Sequence, residues 1–316
     1  MMADNVSSNS TDCTHPNTVE RYAYPTLYSL FFIVGFPANC LSLYVAWILM
    51  RKGNSVAMYL INLTVGDLLY ILTLPVWIIM ALGYPVNDCL CSIIAVIMYN
   101  SFYVGSGFLC CISMDRYLAI AFPLYFVKVR EVRTAAQVSA VVWLLEIVLH
   151  FSLRAYTGDI LHFCSHRICD APIPMSRNAG HEAIIRAVTG FLIPVLIMTF
   201  CFLEIIRALR KSTSTVVSER MKIWFLLLSL LFIYLVSFTP FQVVMFLRGL
   251  KEPGNCSAAK NMRDLYMVFV ATTTINSVLD PIIYCLISES AKMEMRKLFL
   301  NCKKQISRMS MSIIKP

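Results

Sequence analysis

Three acidic residues, Asp67, Glu146 and Asp280, each interrupt a long apolar run. A carboxyl in such a run is costly unless it is paired, hydrated or protonated, so it marks a functional position by default. Desolvation and like-charge neighbours favour the protonated form. The chemistry these positions suit is proton uptake near neutral pH. The chain has five histidines, His15, His150, His162, His166 and His181. Histidine is the side chain that changes charge near physiological pH. Several protonating on one face would repel one another and nearby Arg167 and Arg186, and such repulsion biases a two-state bundle. Arg186 and Arg248 suit a different ligand, an amphiphilic anion with its head on the guanidinium fork and its tail among apolar walls. Phe238 and Gln242 are candidates to line that pocket, and Asp170, Glu182 or Asp264 are alternative partners for the arginines. No metalloprotease, serine-hydrolase or phosphate-loop motif occurs, so an enzyme is not expected. Nothing calls for a metal or cofactor.

These residues must be positioned by elements that are mostly apolar. Of 316 residues 58% are hydrophobic and 14% charged, against roughly 25% charged in an ordinary soluble protein. That composition excludes a soluble two-domain enzyme and a disordered chain. A bilayer core needs about 20 apolar residues per helix, and seven such stretches occur, at about 24–49, 57–82, 89–122, 135–153, 182–209, 221–247 and 262–287. Pro37, Pro75, Pro194, Pro240 and Pro281 fall inside them, as membrane bundles tolerate. The expected fold is an all-α membrane protein, a seven-transmembrane helix bundle over 24–287. A polar tail, 1–23, precedes it. An amphipathic cytoplasmic helix and short tail, 288–316, follow it. Residues 1–20 lack the apolar region of a signal peptide, so the first span is expected to act as the anchor. A proton channel or transporter would also carry midplane acids, but it predicts internal repeats or paired broken helices, and none is seen.

The net charge of +9 is an orientation signal rather than a nucleic-acid footprint. Arg51, Lys52, Lys128, Arg130, Arg133, Arg207, Arg210, Lys211 and the cluster between 292 and 315 mark one side as cytoplasmic. The N-terminus is then extracellular, and the protein is expected in the plasma membrane. The sequons at Asn5 and Asn9 agree with this, while the one at Asn62 lies inside a span and should be unmodified. Of twelve cysteines, Cys13, Cys89, Cys91, Cys164, Cys169 and Cys256 fall on the outer side, where disulfides form with a connectivity the sequence does not fix. Cys302, beyond the last span, is a palmitoylation candidate.

In order along the chain stand Asn39, Asp67, Asp115-Arg116-Tyr117, Trp143, Pro194, Phe238-Thr239-Pro240 and Asp280-Pro281-Ile282-Ile283-Tyr284. With these landmarks the chain resembles the rhodopsin-like (class A) G-protein-coupled receptors. The resemblance implies coupling to a heterotrimeric G protein, with Asp115, Arg116, Tyr117 and Tyr284 serving activation. Asp67 and Asp280 are expected to face each other in a polar core. It also pairs Cys91 with Cys169 and suggests Cys13 with Cys256; Cys89 and Cys164 remain, with their pairing open.

Within that family the segments around Asp115–Leu124, Leu68–Trp77 and Phe108–Ser113, with Arg186 and Arg248, resemble the proton-sensing and lysolipid-sensing subgroup. The Phe36-Pro-Ala-Asn-Cys40 and Gly53-Asn-Ser-Val-Ala57 segments and His150 look most like the G-protein-coupled receptor 132 branch. The resemblance makes Asp67, Glu146 and Asp280 an acidic triad and His166 a proton-sensing histidine. Five positions depart from the pattern. Phe202 stands where tyrosine is usual, and Gly105 where a sodium-coordinating serine is usual. Phe238 stands where tryptophan is usual, and Gln242 and Met267 replace histidines of relatives. An anionic lipid, a lysophospholipid or oxidised fatty acid, is therefore the competing agonist. Met293, Met295, Leu298 and Phe299 are the expected membrane-lipid contacts of the last helix. Ser212, Thr213, Ser214, Thr215, Ser307, Ser310 and Ser312 are open to a receptor kinase, though the short basic tail argues against strong arrestin recruitment.

Overall fold

The fold is taken from a computed structural model, which describes residues 18–122, 131–158, 160, 164, 174–211, 217–287, 291–298, 300 and 303. Seven helices are long and apolar enough to cross a membrane. Span one is Thr18–Arg51, span two Ser55–Ala81, span three Asp88–Ala121 and span four Val132–Thr157. Span five joins Arg177–Ala187 to Ile193–Lys211 through a π-helical turn, Val188–Leu192. Spans six and seven are Val217–Lys251 and Cys256–Ile287. Residues 291–298 form a further short helix.

Most of the helices run past the apolar stretches read from the sequence. Hydropathy registers the lipid-facing length, whereas the helix continues until a cap stops it. Asn54 and Asn87 open spans two and three by accepting from the Val56 N–H at 3.1 Å and the Cys89 N–H at 2.9 Å. Ser176 does the same for span five, from the Ala179 N–H at 3.2 Å, as short polar side chains do at helix starts. Gly158, at φ 85°, closes span four in the left-handed conformation that favours glycine.

Lipid is as apolar as leucine, so these helices gain little by hiding apolar faces from it. Close backbone approach and interhelical hydrogen bonds hold such bundles together. Spans five and six touch at Gly180 and Gly249: a Cβ on either would lie 2.7 Å from the other's carbonyl oxygen. Trp143 of span four donates its indole N–H to Asn62 Oδ1 of span two at 3.0 Å, so Asn62 has a structural use inside the bundle.

Proline adds a second demand. Pro194 has no N–H for the carbonyl of Gly190, four residues earlier. Tyr234 of span six meets that carbonyl, its hydroxyl 3.1 Å away. Pro281 likewise frees the Ser277 carbonyl, which accepts from Asn39 Nδ2 of span one at 2.8 Å. Each freed group is met by a side chain of another span, as the absence of water requires.

The short helix 291–298 packs Met295 and Leu298 against the core, while Met293 faces outward. Phe299 lies outside the described residues. Glu294 pins this helix to the end of span one by accepting from Lys52 Nζ at 2.5 Å, and it pairs with Lys297 at 3.0 Å. Lys52, then Lys297, hold its carboxyl below the usual range. A depressed carboxyl contributes stability above its unfolded value and loses it as pH falls through the folded value. Acidification to about pH 6, well above the ordinary carboxyl range, should therefore leave the helix docked. Glu294→Gln should increase the mobility of a spin label at Met293 at neutral pH, and wild-type mobility should stay flat between about pH 8 and about pH 6.

Candidate functional site

The charged residues of spans four and five lie one helical turn apart. Glu146, His150 and Arg154 stand at i, i+4 and i+8 on span four; Glu182, Arg186 and Gly190 do the same on span five. Such spacing puts each set on one face of its helix. The two faces meet. Arg186, only 4% exposed, donates from Nη2 to His150 Nδ1 at 2.9 Å. Because arginine only donates, that ring nitrogen is the acceptor and His150 is neutral, with its proton on Nε2.

Glu182 lies 3.8 Å from Arg186 Nε and 4.0 Å from Arg154 Nε. The Arg186 guanidinium stands 4.6 Å over the ring of Tyr103 on span three. Glu146 is within electrostatic reach of Arg186, yet its Oε2 has no hydrogen-bond partner. His150 Nε2 and Arg186 Nη1 are also buried without one. Two arginines thus balance two carboxylates around a neutral histidine.

A second network closes the same end of the bundle. Arg248 donates to Glu252 at 2.5 and 3.0 Å. Glu252 is fully buried and also accepts from the Met175 N–H at 3.1 Å. The Arg248 guanidinium lies 4.2 Å from the Tyr266 ring, and the Tyr266 hydroxyl is 3.2 Å from that of Tyr99. Span six is thereby joined to spans seven and three and to the approach to span five. Arg248's carboxylate is therefore Glu252, one turn away; Asp170 lies outside the described residues. Arg186 and Arg248 belong to separate networks.

Asp67 and Asp280 form the polar centre. Asp280 accepts from Asn276 Nδ2 at 2.6 Å, Asp67 bonds to Ser277, and the two carboxyls lie within electrostatic reach of each other. Glu146 is not part of this pair; its charged partner is Arg186. Phe238 packs between Phe102 and Tyr234, with ring centroids 4.4 and 4.6 Å away. Gln242 is 3% exposed with its amide nitrogen unpartnered. At the far end Arg116 is tied to Asp115, Nη2 to Oδ2 at 2.7 Å. Tyr117 packs edge-on to Phe122 and Phe200, and Tyr284 is buried.

His181 is exposed and 3.1 Å from the Tyr156 hydroxyl. Cys89 and Cys164 are disulfide-bonded to each other. Cys91 and Cys256 are also in disulfides; their expected partners, Cys169 and Cys13, lie outside the described residues, as do His162, His166, Asn5, Asn9 and Cys302. Sequence reasoning named Glu182 as a partner for the arginines, and it pairs with Arg186; it missed Glu252 and the second link from Glu182 to Arg154. The i, i+4 spacing with the arginines was the available signal.

The family profile described as 7 transmembrane receptor (rhodopsin family) matches residues 38–284. G-protein coupled receptor 68 of Homo sapiens is 35% identical over 313 residues, covering 96% of this chain and 84% of the relative. G-protein coupled receptor 65 of Homo sapiens is 31% identical over 307 residues, covering 93% and 91%. Probable G-protein coupled receptor 132 of Mus musculus is 29% identical over 294 residues, covering 90% and 75%. This corrects the expected branch: similarity to receptors 68 and 65 exceeds that to 132. Two short segments and one histidine sample too few positions to rank branches.

The Tyr234 hydroxyl lies 3.0 Å from Ser106 Oγ of span three and 3.1 Å from the Gly190 carbonyl of span five. At full burial, Tyr234→Phe takes from the Gly190 carbonyl its side-chain partner, while Ser106 Oγ keeps its bond to the Phe102 carbonyl at 3.3 Å. It should destabilise the bundle by about 1–3 kcal/mol, read as a lower thermal unfolding midpoint in detergent. An unchanged midpoint would mean the hydroxyl contributes nothing there.

Proposed function

The chain belongs to the rhodopsin family of 7 transmembrane receptors, and from that premise we propose that extracellular protons are its agonist. Family membership implies a heterotrimeric G protein as its partner. The reading puts the N-terminus outside the cell, which the excess of Lys and Arg at the opposite end supports. The protein then sits in the plasma membrane with the Arg186 cluster in its outer half.

The observation that carries the reading is the bond from Arg186 Nη2 to His150 Nδ1 at 2.9 Å. The resting cluster is charge-balanced, with Arg154 and Arg186 against Glu146 and Glu182. One proton leaves it at +1, whether it lands on Glu146 or on His150. On His150 the proton occupies Nδ1, so an acceptor facing arginine becomes a donor facing arginine. The bond cannot survive that change. On Glu146 the proton removes the second of the two negative charges that balance Arg154 and Arg186, and leaves Glu182 as the one that pairs with Arg186.

Either event loosens Arg186 from span four. Arg186 lies one turn from Gly190, whose carbonyl engages Tyr234 of span six. Displacement at Arg186 therefore bears on span six, and the response this family reading requires is release of Arg116 from Asp115 at the inner end. Asp67 and Asp280 supply a second proton-binding centre along the way. A lipid anion acting alone at both arginines is less well supported, because Arg248 already has Glu252.

The test is G-protein activation by purified receptor across pH. Glu146→Gln imitates the protonated carboxyl and should move the activation midpoint to higher pH by about one unit, the equivalent of about 1.4 kcal/mol. His150→Phe should flatten the curve. Curves that match wild type in both variants would reject proton activation through this cluster.

A further inference from the structure

Arg186 offers more than the proton reading uses. Its Nη2, Nε and ring face are engaged by His150, Glu182 and Tyr103. Its Nη1, inside a side chain that is 4% exposed, has no partner. An unpaired guanidinium nitrogen deep in a membrane bundle is costly. Glu146 Oε2 is buried nearby, also unpartnered, and closes no salt bridge with Arg186. An unsatisfied charged donor on span five and an unpartnered carboxyl oxygen on span four therefore lie within electrostatic reach of each other.

We propose that Arg186 Nη1 anchors a carboxylate-binding subsite that becomes available when Glu146 is protonated, so that protons and a carboxylate anion bind cooperatively. The inference rests on the proton-activation reading and adds a ligand to it. While Glu146 is ionised, an incoming carboxylate meets a cluster with no net charge and a like charge within reach of Arg186. Once Glu146 is neutral, the cluster carries +1 and the repulsion is gone. An anion then restores balance and supplies the partner that Nη1 lacks, in the fork geometry guanidinium favours.

The charged and titratable groups around Arg186 agree with that sign. Span three presents Tyr103, with Tyr99 beyond it; span four presents Glu146, His150 and Arg154; span five presents Glu182; span six presents Tyr234. Glu182 is committed to both arginines, so Glu146 is the one carboxylate here without a salt bridge. Protonation of His150 adds positive charge in the same direction and breaks the bond that holds Nη2.

The carboxylate has two sources, free in the extracellular medium or the head of a fatty acid in the bilayer. Span four is the least enclosed of the seven, and Ile185, Val188 and Leu192 face outward beside Arg186. That provides an apolar flank for a tail. Linkage requires reciprocity: acid strengthens carboxylate binding, and carboxylate moves proton activation to higher pH.

The experiment uses full-length receptor in nanodiscs of neutral phospholipid stripped of fatty acids. Acetate, or oleate added to the disc, is titrated against chloride at constant ionic strength while G-protein activation is read across pH. The proposal expects the activation midpoint to rise with carboxylate concentration. It also expects carboxylate affinity, read calorimetrically, to increase about tenfold between neutral and acid pH. An effect of oleate alone assigns the bilayer as source, and an effect of both probes assigns free carboxylate; either supports the subsite. Glu146→Gln should hold the acid-state affinity at neutral pH, and Arg186→Lys, which keeps the charge but loses the fork, should weaken binding at every pH. A normal proton response that ignores both carboxylates overturns the subsite and leaves proton activation standing. No proton response in any medium overturns the underlying reading as well.

Discussion

A guanidinium buried inside a membrane bundle is costly wherever it goes unmet, and this end of the bundle is arranged around Arg186, of which Nη1 alone is left without a partner. Arg186 cannot lose its charge, and the lipid offers it no water. His150, Glu182 and Tyr103, from three different spans, each take one of its faces. Spans four and five are thereby held by a contact whose strength depends on the protonation of its neighbours. A leucine at Arg186 would remove the bond to His150 and leave these helices joined by polar links such as Arg154–Glu182 and Tyr156–His181. The interaction that joins these helices at Arg186 is therefore one a proton can change.

The rest of the bundle transmits what happens there through similar obligations. The carbonyl freed by Pro194 sits one turn below Arg186 and is met by Tyr234. The carbonyl freed by Pro281 is met by Asn39 beside the Asp67–Asp280 pair. Arg248 and Glu252 fasten the same end of spans six, seven and three. These contacts are few and discrete. A bundle built this way has distinct arrangements rather than a continuum, which is what switching between two states needs.

The spans were legible because a bilayer imposes a length of apolar sequence that little else imitates. The Asp67–Asp280 pair was legible from its neighbours in the chain. Three features were not. The turn Val188–Leu192 leaves no mark in hydropathy, since a π-helical step needs no special residue, although Pro194 hints at it. The separation of Glu146 from the aspartates depends on how span four is rotated. Its outward residues, such as Val141, Leu144 and Phe151, are apolar like much of the helix, so pattern alone does not orient it. The choice of carboxylate for Arg248 rested on loop acids, when the residue one turn along the helix was nearer. In a membrane, where burial and hydrophobicity no longer correspond, spacing between charges is the better guide to partners.

The account turns on whether a buried carboxyl of the span four–span five cluster changes protonation over the physiological range. Infrared difference spectroscopy of the receptor in nanodiscs reads this directly through the carbonyl stretch of a protonated carboxyl. Going from about pH 8 to about pH 6, the account predicts a new band in that region that disappears in Glu146→Gln. No new band, or one that persists unchanged in Glu146→Gln, would contradict it.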